Sequence, residues 1–385
     1  MKETMRIAML GHKRIPSREG GVEIVVEELS TAMVRKGHAV TCYNRRGHHI
    51  SGAQFDKKKQ KQYCGVRMYT VPTIDRKGLA AMTSSFFGAL RAAFGRYDVV
   101  HFHAEGPCAM MWLPRLFGKR CIATIHGLDH QRGKWGRFAK WYILRGEKCA
   151  VKRAHEIIVL SRGAQQYFSC TYGRETVLIP NGVRKAQQLP AKEITARWGL
   201  KKEDYILFLG RLVPEKGVHY LLEAYKQAGV EQKLVIAGGT SDTDEYVTRL
   251  LQMAGDDEKI IFTDFVEGDV LKELYSNAYL YVLPSDLEGM PLSLLEAMSY
   301  SNCCLTSDIT ECTDVTGSWG YSFPKGDVAA LREQLHTLCG HPEQVKACAA
   351  GAAEHVCSLY NWDDITDKTL RLYRKKQEAE AHTQA

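Results

Sequence analysis

Short apolar runs of strand character alternate with helical patterns along almost the whole chain, and the runs fall into two series. That alternation is the mark of parallel α/β sheets, because parallel strands must be joined by a crossover of a dozen or more residues and a helix is the usual one. The first series starts at Arg6-Ile7-Ala8-Met9-Leu10 and continues at 38–43, 98–102, 120–125, 156–160 and 177–179. The second starts at Tyr205-Ile206-Leu207-Phe208-Leu209 and continues at 233–237, 260–265, 278–283 and 302–306. Residues 181–190 between them are polar and carry Gly182 and Pro190, which reads as a linker. Two doubly wound domains are therefore expected, over residues 1–185 and 186–385, with the last helix a candidate to pack back on the first domain. Ligands of such sheets bind outside the C-terminal strand ends, so two sheets facing a central cleft can hold a substrate between them.

A chain of 385 residues suits two such domains. With 45% hydrophobic and 25% charged residues it matches neither a disordered nor a membrane-embedded chain. The net charge of +8 conceals a division: residues 1–185 carry 33 Lys and Arg against 13 Asp and Glu, whereas 186–385 carry 19 against 31. A basic half next to an acidic half implies different partners, with nucleic acid, acidic lipid or a phosphorylated substrate open for the first. The twelve cysteines include no C-x-x-C pair and read as reduced, cytosolic thiols. Met1-Lys2-Glu3-Thr4 leads straight into the first strand without the apolar core of a signal peptide, and no run of ~18 apolar residues is present to span a bilayer. The expected location is the cytoplasm, peripheral on the inner face of the membrane if a membrane is involved.

Several segments could carry chemistry. After the first strand and a loop, Gly20-Gly21 opens a helix patterned by Val22, Val25, Val26, Leu29, Ala32 and Met33 and stopped at Gly37. Paired glycines at a helix start admit a phosphate without meeting a Cβ, although an ordinary glycine turn looks the same. In the second series the first strand runs into Gly210-Arg211-Leu212-Val213-Pro214-Glu215-Lys216-Gly217. Arg211 and Lys216 at a strand's C-terminal end suit a diphosphate leaving group, while an incidental solvated loop remains the alternative. Next comes Glu288-Gly289-Met290-Pro291-Leu292-Ser293-Leu294-Leu295-Glu296. Pro291 suits a first helical position, leaving Glu288 in the loop before it and Glu296 in the second turn at the edge of an apolar face. A carboxylate there is costly to bury without partners, and sugar hydroxyls are natural ones.

His101 and His103 form an H-x-H pair on one strand face, but spacing supplies no third metal ligand. His126 ends a buried-type strand, where an active site is expected. Two aromatic helical segments, Leu79 to Phe94 and Trp135, Phe138, Trp141 and Tyr142, lie in the basic half. The second also carries Arg132, Lys134, Arg137, Lys140, Arg145 and Lys148, so it reads either as a membrane-surface helix or as one whose aromatics face the core.

Taken together these motifs resemble the GT-B glycosyltransferases of the large retaining family 4, glycosyl transferases group 1, which includes many bacterial cell-surface polysaccharide enzymes. The resemblance covers roughly residues 5–375, and its most specific mark is the E-x7-E motif from Glu288 to Glu296. Gly20-Gly21-Val22-Glu23, Thr124-Ile125-His126-Gly127-Leu128-Asp129, Ile179-Pro180-Asn181-Gly182-Val183 and Gly210-Arg211 with Lys216-Gly217 support it. It implies two Rossmann-like domains, the first binding acceptor and the second a nucleotide-sugar donor. Arg211 and Lys216, helped by Gly20 and Gly21, would hold the diphosphate. Glu296 would bind the ribose and Glu288 the donor sugar, with Gly289, Met290 and Pro291 beside them, Val266 near the base and His126 beside the reacting carbon. His103, Trp135 and Arg137 are acceptor-side candidates. The chain departs from the family in Gly289-Met290-Pro291, where many relatives carry a second glycine, and in Ser301, where a glycine often follows the motif helix.

The implied activity is metal-independent, retaining transfer of a sugar from a nucleotide sugar to a lipid-linked or glycan acceptor, in capsular, exopolysaccharide or other cell-surface glycan biosynthesis. No cofactor is expected; an anionic membrane surface is an expected partner and nucleic acid is not. A GT-B sugar-nucleotide epimerase, or a basic nucleic-acid-binding protein, are the alternatives.

Overall fold

A computed structural model describes residues 4–49, 52, 60–76, 78–133, 135–240 and 243–383, with side chains described as far as Arg374. The first sheet contains β1 (Arg6–Leu10), β2 (Ala39–Arg45), β3 (Gln62–Tyr63), β4 (Val66–Val71), β5 (Val99–His103), β6 (Arg120–Ile125), β7 (Glu156–Val159) and β8 (Val177–Leu178). Their spatial order is β3-β4-β2-β1-β5-β6-β7-β8, parallel apart from the β3–β4 hairpin. The second sheet contains β9 (Tyr205–Leu209), β10 (Lys233–Ala237), β11 (Ile260–Asp264), β12 (Leu280–Leu283), β13 (Cys304–Ser307) and β14 (Tyr321–Phe323), in the order β11-β10-β9-β12-β13-β14. Every residue of β5, β6, β12 and β13 is buried, as strands covered by helices on both faces must be. Strand order reverses between β1 and β5 in one sheet and between β9 and β12 in the other. At these two points the connections leave in opposite directions and open a crevice above the strand ends.

Three strands escaped the sequence reading. The β3–β4 hairpin lies at a sheet edge, with Val66 and Val71 buried and Arg67 and Thr70 exposed between them, a pattern too mixed to announce a core strand. The edge strand β14 is only three residues long.

The chain divides into two compact units, residues Met1–Asn181 with Trp362–Ala385, and Gly182–Asn361. The division therefore falls earlier than residue 185, because the Val183 N–H donates to the Tyr360 carbonyl at 2.7 Å and Val183 bridges Asn361. Residues to 190 continue on the second unit, where the Leu189 N–H donates to Ser276 Oγ and Gln188 to the Tyr300 carbonyl. The last helix, Trp362–Thr383, belongs to the first unit. Its Tyr373 hydroxyl meets His101 Nδ1 at 2.6 Å, while His101 Nε2 meets Thr124 Oγ1 at 2.7 Å. Arg120 donates twice to the Leu372 carbonyl, closing the same contact at the other end of the strands.

Candidate active site

In the second unit the crevice is built by a close backbone approach. Gly217 has φ +68, and a Cβ there would stand 1.9 Å from the Pro284 carbonyl oxygen, so only glycine lets the turn Pro214–Lys216 press onto the end of β12. That contact aims Lys216 at Glu288, and Nζ stands 2.5 Å from Oε1. The Ser285 hydroxyl donates to the same oxygen at 2.6 Å. The two charged side chains are 11% and 8% exposed, so bulk solvent screens the pair little. Asp286 N–H donates to the Glu215 carbonyl, and the Ser307 hydroxyl to the Ser285 carbonyl, which fixes the loop carrying Glu288.

The motif helix runs Leu292–Ser299, with Pro291 as its extended N-cap rather than its first helical residue. The reason is visible in the hydrogen bonds: the Pro291 carbonyl accepts from Leu294 and Leu295, which is the duty of the residue before the helix. Glu288 lies in the preceding loop, and Gly289, Met290 and Pro291 are buried. Glu296 is half-buried in the second turn, and the Tyr275 hydroxyl donates to its Oε2 at 3.2 Å. Arg211 is half-buried directly after Gly210 at the end of β9. Val266 follows β11, two strands away, and is half-buried before the helix Gly268–Asn277.

The first unit repeats the close approach. Gly11, at φ +106, follows β1, and a Cβ there would come 2.1 Å from the His103 carbonyl oxygen at the end of β5. His103 is fully buried, and its Nδ1 lies 3.0 Å from Nε2 of His126, the residue after β6. Burial pushes His103 well below the usual imidazole range and brings His126 down to about 4, against the pull of Asp129 and Glu23. Both rings are neutral at pH 7, so one donates and the other accepts. His103, an acceptor-side candidate by sequence, thus stands behind His126 rather than at the surface.

Gly20 is the N-cap of the helix Gly21–Arg35, and a Cβ on it would stand 2.7 Å from Oε2 of the buried Glu23. The Lys13 N–H donates to Glu23 Oε1 at 2.8 Å. A carboxylate therefore occupies the first turn, where the paired glycines alone suggested open N–H groups. His12, Asn44 and Ile15 tie the rest of this loop down, through His12 Nε2 to Asn44 Oδ1 at 3.0 Å and reciprocal bonds between the Asn44 side chain and the Ile15 backbone.

The basic aromatic helix runs Arg137–Arg153 with Trp135 half-buried before it and Arg137 exposed at its start. Phe138 and Trp141 are 65% and 55% exposed and stack at 5.7 Å, with the Arg145 guanidinium 5.7 Å from the Trp141 ring. Ile143, Gly146, Glu147 and Ala150 face inward, and these two aromatics do not face the core. Lys134 lies outside the described residues.

Sequence reasoning missed Glu23, Ser285 and Tyr275 as site residues, all contacts across loops or between elements. Glu23 alone carried a signal, as a carboxylate three residues after the N-cap. All twelve cysteines are free thiols.

Comparison with known proteins agrees with this geometry. Residues 19–187 match the family described as Glycosyltransferase Family 4, and residues 191–355 match Glycosyl transferases group 1. A GDP-mannose-dependent alpha-(1-6)-phosphatidylinositol monomannoside mannosyltransferase of Mycolicibacterium smegmatis is 26% identical, over 90% of this chain and 92% of its own. Among solved structures, sucrose-phosphate synthase from Thermosynechococcus elongatus aligns with a TM-score of 0.83 at 22% identity, over 97% of this chain and all of that one. Anabaena HepE, solved in complex with UDP-glucose, aligns with a TM-score of 0.75 at 16% identity, over 99% of this chain and all of that one. The protein belongs to the group 1 glycosyltransferases and has their GT-B fold of two parallel-sheet domains.

Proposed function

We propose that the protein is a retaining glycosyltransferase that moves a sugar from a nucleotide sugar to a lipid-linked or glycan acceptor in cell-surface glycan assembly, at the cytoplasmic face of a membrane. The observation that carries this reading is the dry Lys216–Glu288 pair at the strand reversal of the second unit, with Arg211 on the same loop as Lys216 and Glu296 on the helix after Glu288. A fixed ammonium there meets a diphosphate whose charge rises as its bond to the sugar breaks, and the neighbouring carboxylate accepts from sugar hydroxyls. Glu296, steadied by Tyr275, takes the ribose hydroxyls, and the backbone at Val266 meets the base. Met290 in place of a second glycine narrows the approach to the donor sugar.

In the transfer, the bond from the anomeric carbon to the β-phosphate oxygen breaks and a bond to the acceptor oxygen forms on the same face of the sugar. The departing phosphate oxygen takes the proton of the acceptor hydroxyl. His126, neutral and held by His103, offers a hydrogen bond beside the reacting carbon, with the exposed Gly21 leaving room for the donor. Lys216 and Arg211 meet the leaving-group charge, so no divalent ion is needed at the diphosphate. HepE, solved with UDP-glucose, and the GDP-mannose-dependent relative support a nucleotide-sugar donor.

Among the described residues no helix is long and apolar enough to cross a membrane. The exposed Phe138 and Trp141, flanked by exposed Arg145 and Lys148, support peripheral docking on anionic lipid, the apolar rings entering the interface and the cations meeting headgroups.

The test is a thermal-shift screen against UDP-, GDP-, ADP- and dTDP-sugars without added metal, followed by acceptor assays with the stabilising donor. A ligand at 100 times its Kd stabilises by about 2.7 kcal/mol, a readable shift. Selective stabilisation by one donor, with an α-glycoside formed from an α-linked donor in buffer free of added Mg²⁺ or Mn²⁺, is the expected result. An inverted product or strict dependence on added divalent ion would overturn the mechanism.

A further inference from the structure

Behind the acceptor-side loop of the first unit lies a group of side chains that the transfer reaction does not use. Glu105 opens the short helix after β5, His130 lies in the turn Asp129–Gln131 after β6, and Glu147 sits in the helix Arg137–Arg153. One ligand-type atom from each lies within 4.8 Å of the others. A glycine assembles the group: a Cβ on Gly146 would stand 2.0 Å from the Glu105 carbonyl oxygen, so the helix backbone rests on Glu105 and delivers Glu147 beside it. Both glutamates are fully buried.

The hydrogen bonding is one-sided. Oε1 of Glu147 accepts from the Tyr167 hydroxyl at 2.9 Å and from the Tyr172 hydroxyl. Its Oε2 has no hydrogen-bond partner, and it faces His130 Nδ1 at 3.4 Å, itself without one. The carboxylate of Glu105 accepts from the Asp129 N–H at 3.1 and 3.3 Å. Two buried carboxylates and an imidazole thus converge on one spot, the glutamates steadied from outside by their own bonds while the inward atoms of Glu147 and His130 lack hydrogen bonds. A buried pair of carboxylates needs a compensating positive charge, and outer hydrogen bonds that orient the inner atoms are characteristic of metal ligands.

We propose that Glu105, His130 and Glu147 bind a divalent first-row transition-metal ion of zinc type. Ligand atoms on one tetrahedral ion at ~2.1 Å stand ~3.4 Å apart, and His130 Nδ1 and Glu147 Oε2 already stand 3.4 Å apart, with Glu105 within 4.8 Å of both. One imidazole with two carboxylates suits zinc or manganese better than calcium or magnesium, which favour all-oxygen shells. The ion pins the loop that begins at His126 to the helices beneath it and lies apart from the diphosphate chemistry proposed above.

The experiment uses tag-free full-length protein, dialysed against chelator, exposed to zinc chloride, passed through gel filtration and analysed for metal. One zinc per chain is expected, with slower hydrogen exchange over residues 126–132 and a higher melting temperature. His130→Asn and Glu147→Gln should each lose the retained zinc and the slowed exchange. His130 is partly exposed, so its variant keeps the test decisive where Glu147→Gln fails to fold. Wild-type protein that retains no zinc, or zinc retained equally by His130→Asn, overturns the proposal. Since turnover is no part of the readout, an inactive transferase that binds zinc, and an active one that does not, are told apart.

Discussion

The two units wind their sheets alike, and each uses a positive-φ glycine to bring one loop onto the carbonyl at the end of the neighbouring strand: Gly11 onto His103 and Gly217 onto Pro284. What fills the crevice differs. The first unit surrounds it with imidazoles, the buried His12, His101 and His103 and the half-buried His126, joined to one another or to Asn44, Thr124 and Tyr373. The second places a fixed ion pair there with a serine in support, and a tyrosine steadies Glu296. Shared topology therefore decides where a site lies, and the side chains decide whether it offers neutral hydrogen bonds or permanent charge.

That contrast predicts different responses to acid. Burial pushes His12 down to about 4 and His101 to about 3, from the usual 6.5. Below pH 6.5 the unfolded chain binds protons that these folded rings refuse, so stability present above that pH is lost as the pH falls. Each histidine costs about 1.4 kcal/mol per pH unit in this window, roughly 4 kcal/mol for the two together between pH 7.5 and 5. In the second unit His219 is lowered too, but it is half-exposed and contributes less. Hydrogen exchange followed by peptide mapping at pH 7.5 and 5 should show the first unit losing protection ahead of the second. Simultaneous loss, or loss in the second unit first, would break the comparison.

Removing the fixed charge tests the other side. Lys216→Ala should lower kcat by ~10²–10³, the scale of a lost donor to developing negative charge, with a smaller change in donor binding. His126→Ala should cost less, because a neutral ring contributes no net charge. Equal losses for the two in steady-state kinetics would show that charge is not what separates the crevices.

Most of the winding was legible because buried parallel strands must be apolar runs, and β1, β6, β9 and β10 coincide with runs in the sequence. The β3–β4 hairpin and the three-residue β14 escaped, since Val66–Val71 mixes buried and exposed positions and β14 is too short to show a run. In the site, Glu288 and Glu296 share one loop and helix, so their spacing is fixed locally and could be read. Glu105, His130 and Glu147 lie on three separate elements, and the contact that joins them depends on Gly146, which in sequence is merely a glycine inside a helix. Lys216 was visible as a cation at a strand end, but its pairing with Glu288 required the approach of Gly217 to Pro284.

The surface extends the comparison. Phe138 and Trp141 belong to the first unit, and their exposure fits a unit that meets an interface. Replacing both with Ala should weaken binding to vesicles containing anionic lipid by roughly tenfold, about 1.4 kcal/mol, while leaving donor-induced stabilisation unchanged. Sedimentation with vesicles measures the first and thermal shift the second. Unaltered sedimentation would assign these rings another role.

The smallest expected effect concerns backbone strain, which both units carry beside their sites. After the motif helix, Ser301 N–H donates to the Met298 carbonyl and Asn302 N–H to the Ala297 carbonyl, the paired bonds of a left-handed helix terminus. Ser301 sits there at φ +59, a conformation that suits glycine. In the first unit Ala104, between His103 and Glu105, has φ 72 and ψ 160, a region open in practice to glycine alone. Glycine relieves the side-chain clash at each place but adds freedom to the unfolded chain, which offsets about 0.5–1 kcal/mol of the gain. Ser301→Gly should therefore stabilise by roughly 0.5 kcal/mol and Ala104→Gly by about 1 kcal/mol, as the strain at the second is greater. Urea unfolding curves for the two variants measure the order. If Ala104→Gly gains stability and lowers turnover, the strain helps to hold His103 behind His126; if turnover is unchanged, it only accommodates the packing of Glu105 against Gly146.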